Sequence, residues 1–174
     1  MSEPNNLENS KWFGSRRCPN VGCLCHVFFV LNYQCKVLRS YPTERIDFDA
    51  ANVPSRITST LEEAISCRSE GAFVAAAIMI RRTLEELCED KGANGANLKE
   101  RIAALRANVV LPSELFAAMD ELRLLGNDAA HIEAKVYDSI GKEEVDLGLL
   151  LTKEILKAVY QLDDLVKRLQ ALKK

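Results

Sequence analysis

The sequence predicts a mainly α-helical chain, an up-and-down bundle of about five helices behind a small β-hairpin. Three observations lead there. From Ser55 onward, apolar residues recur at three- and four-residue steps. Between those stretches, glycine, proline and an Asn-x-x-Glu element fall at helix-length intervals. Only the segment from Cys18 to Pro42 has the β-branched and aromatic texture of strands.

Residues 1–15, opening "MSEPNNLENSK", are polar and read as a disordered leader without the apolar stretch of a secretory signal. His26–Leu31 and Cys35–Ser40 flank the polar interruption Asn32–Gln34 and predict a hairpin. An extended linker follows, "YPTERIDFDAANVP", with Pro42 and Pro54 as punctuation. Residues 16–49 thus form a ribbon-like hairpin plus linker, and residues 50–174 a helical domain.

Ile57, Leu61, Ala64 and Ile65 share one face of a helix over Ser55–Ser69, and Gly71 ends it. Ala72–Lys91 is apolar through its first half, continues as "RRTLEELCEDKG", and stops at Gly92. Asn97 followed by Glu100 predicts a capping box opening a short helix to Ala107. Pro112 and Ser113 start the next helix, which carries "LRLLGNDAAH" over residues 122–131. "SIGKEE" then leads into one long helix running nearly to the C-terminus. Along it, Leu151, Ile155, Ala158, Leu162, Leu165, Leu169 and Leu172 alternate steps of four and three, a heptad seam. Such a seam is either a core stripe or a dimer contact, and its last turns are expected to project beyond a compact bundle.

Of the 174 residues, 48% are hydrophobic, enough for a proper core. A net charge of −2 argues against a protein that coats nucleic acid by bulk electrostatics, so phosphate binding would have to be local. No apolar run reaches the roughly 18–20 residues of a membrane span. With six cysteines and no signal peptide, a reduced cytoplasmic chain is expected, with no membrane association.

Cys18, Cys23, Cys25 and Cys35, with His26 beside them, provide soft metal ligands. The first spacing is four residues, Cys23, Cys25 and His26 crowd together, and no second knuckle precedes them. A hairpin without metal, a degenerate zinc ribbon, is therefore expected. Were zinc present, Cys18, Cys23, Cys25 and Cys35 would hold it.

Arg123, Asn127 and His131 stand at four-residue steps, hence on one helix face, with Gly126 among them. Two readings are open. In one they form a polar cluster against a neighbouring helix, with Gly126 permitting close approach and Arg123 pairing with Glu85, Glu86 or Asp128. In the other, an imidazole that shuttles protons and a guanidinium that steadies a phosphate cleave RNA without metal. Eight residues of helix put Arg123 and His131 about 12 Å apart along the axis. A shared site then needs either a break at Gly126 or two subunits crossing antiparallel.

The elements "LEEAISC", "AAAIMIRRTLEELCEDKG", "LKERIAAL", "LP" and "LRLLGNDAAH" together resemble a bacterial helical family, domain of unknown function 4145. That family is grouped with the HEPN superfamily (higher eukaryotes and prokaryotes nucleotide-binding). The similarity spans about residues 50–165. It implies a helical bundle that commonly dimerises and is associated with restriction, toxin–antitoxin and other defence systems. Many HEPN proteins are metal-independent ribonucleases with an arginine, four to six residues, then a histidine. Here seven residues intervene and Leu124 follows Arg123.

The resemblance makes Arg123, Asn127 and His131 the candidate catalytic positions. It makes Arg81 and Arg82 candidates for phosphate contact or for pairing with Glu85 and Glu86. The expectation is a cofactor-free homodimeric module that serves a protein or nucleic-acid partner without catalysis. The alternative is a ribonuclease with a composite site at the dimer interface. A zinc-stabilised nucleic-acid adaptor built on the hairpin is a third, minor option.

Overall fold

The computed structural model describes residues 10–19, 21–23, 25–42, 48–131 and 140–173. Residues 1–9 of the expected leader and 43–47 of the expected linker lie outside them. The chain divides into two compact units, Met1–Arg45 and Ile46–Lys174.

The first unit is a three-stranded antiparallel sheet in the order β1 (Trp12–Arg17), β2 (His26–Leu31), β3 (Val37–Tyr41). The expected hairpin is present as β2 and β3. Its turn is built by Asn32, whose side-chain oxygen accepts the N–H groups of Gln34 (3.0 Å) and Lys36 (2.9 Å). Cys35 takes the left-handed conformation there, at φ +60°.

Strand β1 was not expected, and it opens inside the stretch whose polarity suggested a leader. Its cause is pairing rather than its own composition. Gly14 lies opposite Phe29, and a Cβ on Gly14 would meet the Phe29 ring at 2.7 Å. The ring thus covers the bare backbone of β1, a contact that a local reading of "WFGSRR" cannot contain.

The second unit holds α1 (Ser55–Ser69), α2 (Phe73–Asp90), α3 (Leu98–Asn108), α4 (Ser113–Ala130), α5 (Lys142–Tyr160) and α6 (Leu162–Ala171). Helices α1 and α2 both end on a left-handed glycine, Gly71 at φ +77° and Gly92 at φ +67°. At each, the following N–H reaches back to close the cap: Ala72 to the Cys67 carbonyl (2.9 Å) and Ala93 to that of Cys88 (2.8 Å). Helix α3 begins with the expected box. Asn97 accepts the Glu100 N–H (3.0 Å), and Glu100 accepts the Ala96 N–H (2.8 Å).

Helix α2 is the axis of this unit and packs against α1, α3, α4 and α5. Its buried positions Ala76, Ile80, Leu84 and Leu87 advance by four, four and three, one face of the helix. Phe116, Met119 and Leu122 of α4 and Val145, Leu149 and Ile155 of α5 close the core around it. Thr83 and Thr152 are buried within it. Their hydroxyls donate to the Met79 (2.9 Å) and Gly148 (2.8 Å) carbonyls one turn back, so neither is left unsatisfied. No helix among the described residues is long and apolar enough to cross a membrane.

The single long C-terminal helix of the sequence reading is two helices. Gln161 breaks it, at φ −111° and ψ −29°. Its side-chain amide donates to the Asp49 (2.7 Å) and Ala51 (3.1 Å) carbonyls. Beside it, the Tyr160 hydroxyl donates to Asp90 (2.7 Å) and the Lys91 ammonium lies 4.0 Å from the Tyr160 ring centre. These anchors fix the end of α5 while α6 goes its own way. The heptad seam divides accordingly: Ile155 is buried in the core, whereas Leu162, Leu165, Leu169 and Leu172 are exposed.

Candidate functional site

The candidate residues meet where α2 crosses α4, and glycine sets that crossing. A Cβ on Gly126 would lie 2.4 Å from Arg81 Cβ and 3.2 Å from the Ala77 carbonyl oxygen. The two backbones approach closer than any side chain would allow. Helix α4 runs unbroken through Gly126, so the glycine serves close packing and does not interrupt the helix.

Across this crossing, Arg81 donates from Nε to Glu85 (3.0 Å) and from Nη1 to the Arg123 carbonyl (3.3 Å). Arg123 itself donates from Nε to Asp120 (3.2 Å), one turn earlier. Both arginines are largely shielded, with side chains 24% and 20% exposed. Their positive charge is matched within the fold.

Arg82 follows Arg81 in sequence but sits about 100° around the helix and joins a different network. Its Nε donates to Glu86 (3.2 Å), whose carboxylate is only 4% exposed. From α1, the Thr60 hydroxyl (2.8 Å) and Arg56 Nε (3.3 Å) donate to the same carboxylate, and Arg56 also pairs with Glu89 (3.3 Å). A carboxylate buried among three donors is held as a charge-matched clamp between α1 and α2. The sequence showed the Arg82–Glu86 step. It gave no sign that Arg56 and Thr60 complete the clamp, because that contact depends on how α1 lies on α2. Arg81 and Arg82 therefore do not form one phosphate site.

His131 stands at the end of α4. Its N–H closes the last helical turn on the Asn127 carbonyl (3.0 Å), while its own backbone is extended (φ −130°, ψ 119°). The residue is exposed, and Asn127 is half-buried. The expectation of an imidazole packed against a neighbouring helix is corrected here: the helix stops at Ala130, so His131 lies beyond its last packed turn. Within one chain an unbroken helix separates Arg123 from His131 by about 12 Å, too far to serve one phosphate.

A second clamp, absent from the sequence reading, ties α1 to α5. Arg68 donates from Nε (2.5 Å) and Nη2 (2.9 Å) to the two oxygens of Asp146, and Lys142 pairs with the same carboxylate. The Arg68 hydrogen bonds, helped by Lys142, hold the Asp146 carboxyl below the usual carboxylate range.

In the sheet, the four candidate metal ligands separate. Cys18 and Cys25 continue the β1–β2 ladder past the Arg17–His26 pair, with the Cys18 N–H donating to the Cys25 carbonyl (2.8 Å). Cys23 joins them in that loop. The Cys25 N–H and then the Cys25 and Cys18 thiols donate to its sulfur and lower its pKa. Cys35 lies in the β2–β3 turn, at the far end of a six-residue strand, roughly 20 Å away. Cys18, Cys23, Cys25 and Cys35 cannot close around one ion. Among the described residues, no group of three or more His, Cys, Asp or Glu side chains is arranged to hold a metal.

The model of one protein family, described as domain of unknown function DUF4145, matches residues 62–172. That span contains α2 to α5 and every residue of the α2–α4 crossing. No curated protein and no solved structure shows a significant match.

Proposed function

The chain belongs to the DUF4145 family, and from that premise we propose that it is a non-catalytic, HEPN-like module that acts by association. It pairs with a second copy of itself and serves a protein or nucleic-acid partner in a bacterial defence or regulatory system. The observation that carries this reading is the use of the motif's cations inside the fold. Arg81 is spent on Glu85 and the Arg123 carbonyl, Arg82 on Glu86 and Arg123 on Asp120. A phosphate arriving at this face would have to displace those partners. The defence setting rests on the resemblance to the HEPN superfamily alone.

One observation favours the ribonuclease alternative: His131 is exposed and thus open to a substrate or to Arg123 of another subunit. The test compares wild type with Arg123→Ala and His131→Ala for melting temperature and for RNA cleavage in the presence of a chelator. A non-catalytic module leaves RNA intact in all three. Cleavage by wild type that either substitution abolishes, and that a mixed dimer of the two variants partly recovers, would establish the composite site instead.

A further inference from the structure

Helix α6 is the least embedded element of its unit, touching only α5 among the described elements. None of its residues is buried. Yet it carries Leu162, Leu165, Val166 and Leu169, each roughly half or more exposed, with Leu172 at its C-cap 78% exposed. The leucines advance by three, four and three, so all four stand on one face. In an ordinary exposed helix such positions are polar.

The charges on α6 are segregated along its length. Asp163 and Asp164 fill the first turn; Lys167, Arg168 and Lys173 follow. The one pair within the helix, Arg168 to Asp164 at 4.0 Å, is exposed and screened by solvent. A second α6 laid parallel would set aspartates beside aspartates and cations beside cations. Laid antiparallel, the acidic end of each meets the basic end of the other while the leucine faces interdigitate. The aspartates in the first turn also disfavour an anionic lipid surface as the occupant. Helix α4, by contrast, has no large apolar side chain among the exposed ones, so the expected contribution of that helix to a dimer finds no apolar surface to use.

We propose that α6 is the contact through which the chain pairs antiparallel with a second copy of itself, an inference that rests on the associating-module reading above. The seam is short, so the pairing belongs in the micromolar range and depends on ionic strength.

Sedimentation equilibrium on the full chain tests it, with wild type, Leu165→Glu/Leu169→Glu, and Asp163→Lys/Asp164→Lys. Wild type should show twice the chain mass at tens of micromolar. Both variants should bind themselves at least tenfold more weakly, with unchanged helical circular dichroism because every replaced residue is exposed. Carbodiimide treatment of wild type should join Asp163 or Asp164 to Lys173. Nine or ten residues of helix separate these within one chain, so a zero-length link must run between chains.

A wild type that stays monomeric overturns this inference together with the self-association reading. So does a monomer that sediments with anionic phospholipid vesicles. A dimer that survives Leu165→Glu/Leu169→Glu overturns the α6 seam and leaves self-association standing. A dimer sensitive to those substitutions but lacking the Asp–Lys link overturns the antiparallel arrangement.

Discussion

Replacing Gly126 with alanine tests whether the α2–α4 crossing is set by backbone approach. The added Cβ would sit 2.4 Å from Arg81 Cβ, whereas two carbons rest at about 3.5–4.0 Å. More than an ångström must be found, and Arg81 Cβ is fixed to the α2 backbone, so a side-chain rotation cannot provide it. Overpacking of this kind costs about 1–3 kcal/mol, and the better helix propensity of alanine returns about 1. A net loss of about 1–2 kcal/mol is expected, lowering Tm by roughly 2–4 °C per kcal/mol. Gly148→Ala is the internal control. Its Cβ would meet only methyl ends, Ile80 Cδ1 at 3.1 Å and Leu122 and Leu125 Cδ2 at 3.4 Å, which can yield. That variant should stay within about 1 kcal/mol of wild type. Thermal denaturation of the three proteins at one concentration reads the difference. A Gly126→Ala protein as stable as Gly148→Ala would refute the reasoning.

The remaining predictions concern side chains whose surroundings differ sharply. Arg81→Ala should cost about 1–2 kcal/mol through lost charge-assisted hydrogen bonds, while His131→Ala, at an exposed helix end, should change stability by less than about 0.5 kcal/mol; urea unfolding reads both, and the reverse ranking would contradict the placement of these residues. Asp146→Asn should cost about 1–2 kcal/mol at neutral pH, allowing for partial exposure. Because the folded carboxyl titrates below its unfolded value of about 3.9, that contribution is present above pH 4 and fades as pH falls through the folded pKa. A difference between variant and wild type that persists undiminished in acid would contradict it. Iodoacetamide at neutral pH should modify Cys23 first and Cys88 last, since burial pushes the Cys88 thiol up to about 11; peptide mass spectrometry of the folded protein ranks the six thiols, and an early Cys88 would count against its burial.

What the sequence disclosed was local. Gly71 and Gly92 stop their helices because a left-handed cap needs glycine, and Asn97 with Glu100 starts one because both partners lie within four residues. The break at Gln161 was hidden, since its cause is a pair of carbonyls at Asp49 and Ala51, far away in sequence. Strand β1 was hidden for the same reason, being made by Phe29 covering Gly14. At the candidate site, helical spacing correctly gave Arg123 and Asn127 a shared face and the i,i+4 pairs Arg81–Glu85 and Arg82–Glu86. It did not reveal that α4 would end before His131. Nor did it reveal that Arg56, Thr60 and Glu86 would close a clamp, or that six strand residues would hold Cys35 apart from the other thiols.

The central claim, that the chain acts by association and not by catalysis, is tested most directly under single-turnover conditions. End-labelled RNA of mixed sequence is incubated with a large excess of wild-type protein and a chelator, and its length is followed by gel electrophoresis. The account predicts RNA that stays full-length throughout. Cleavage that leaves 2′,3′-cyclic phosphate ends and disappears in His131→Ala would contradict it.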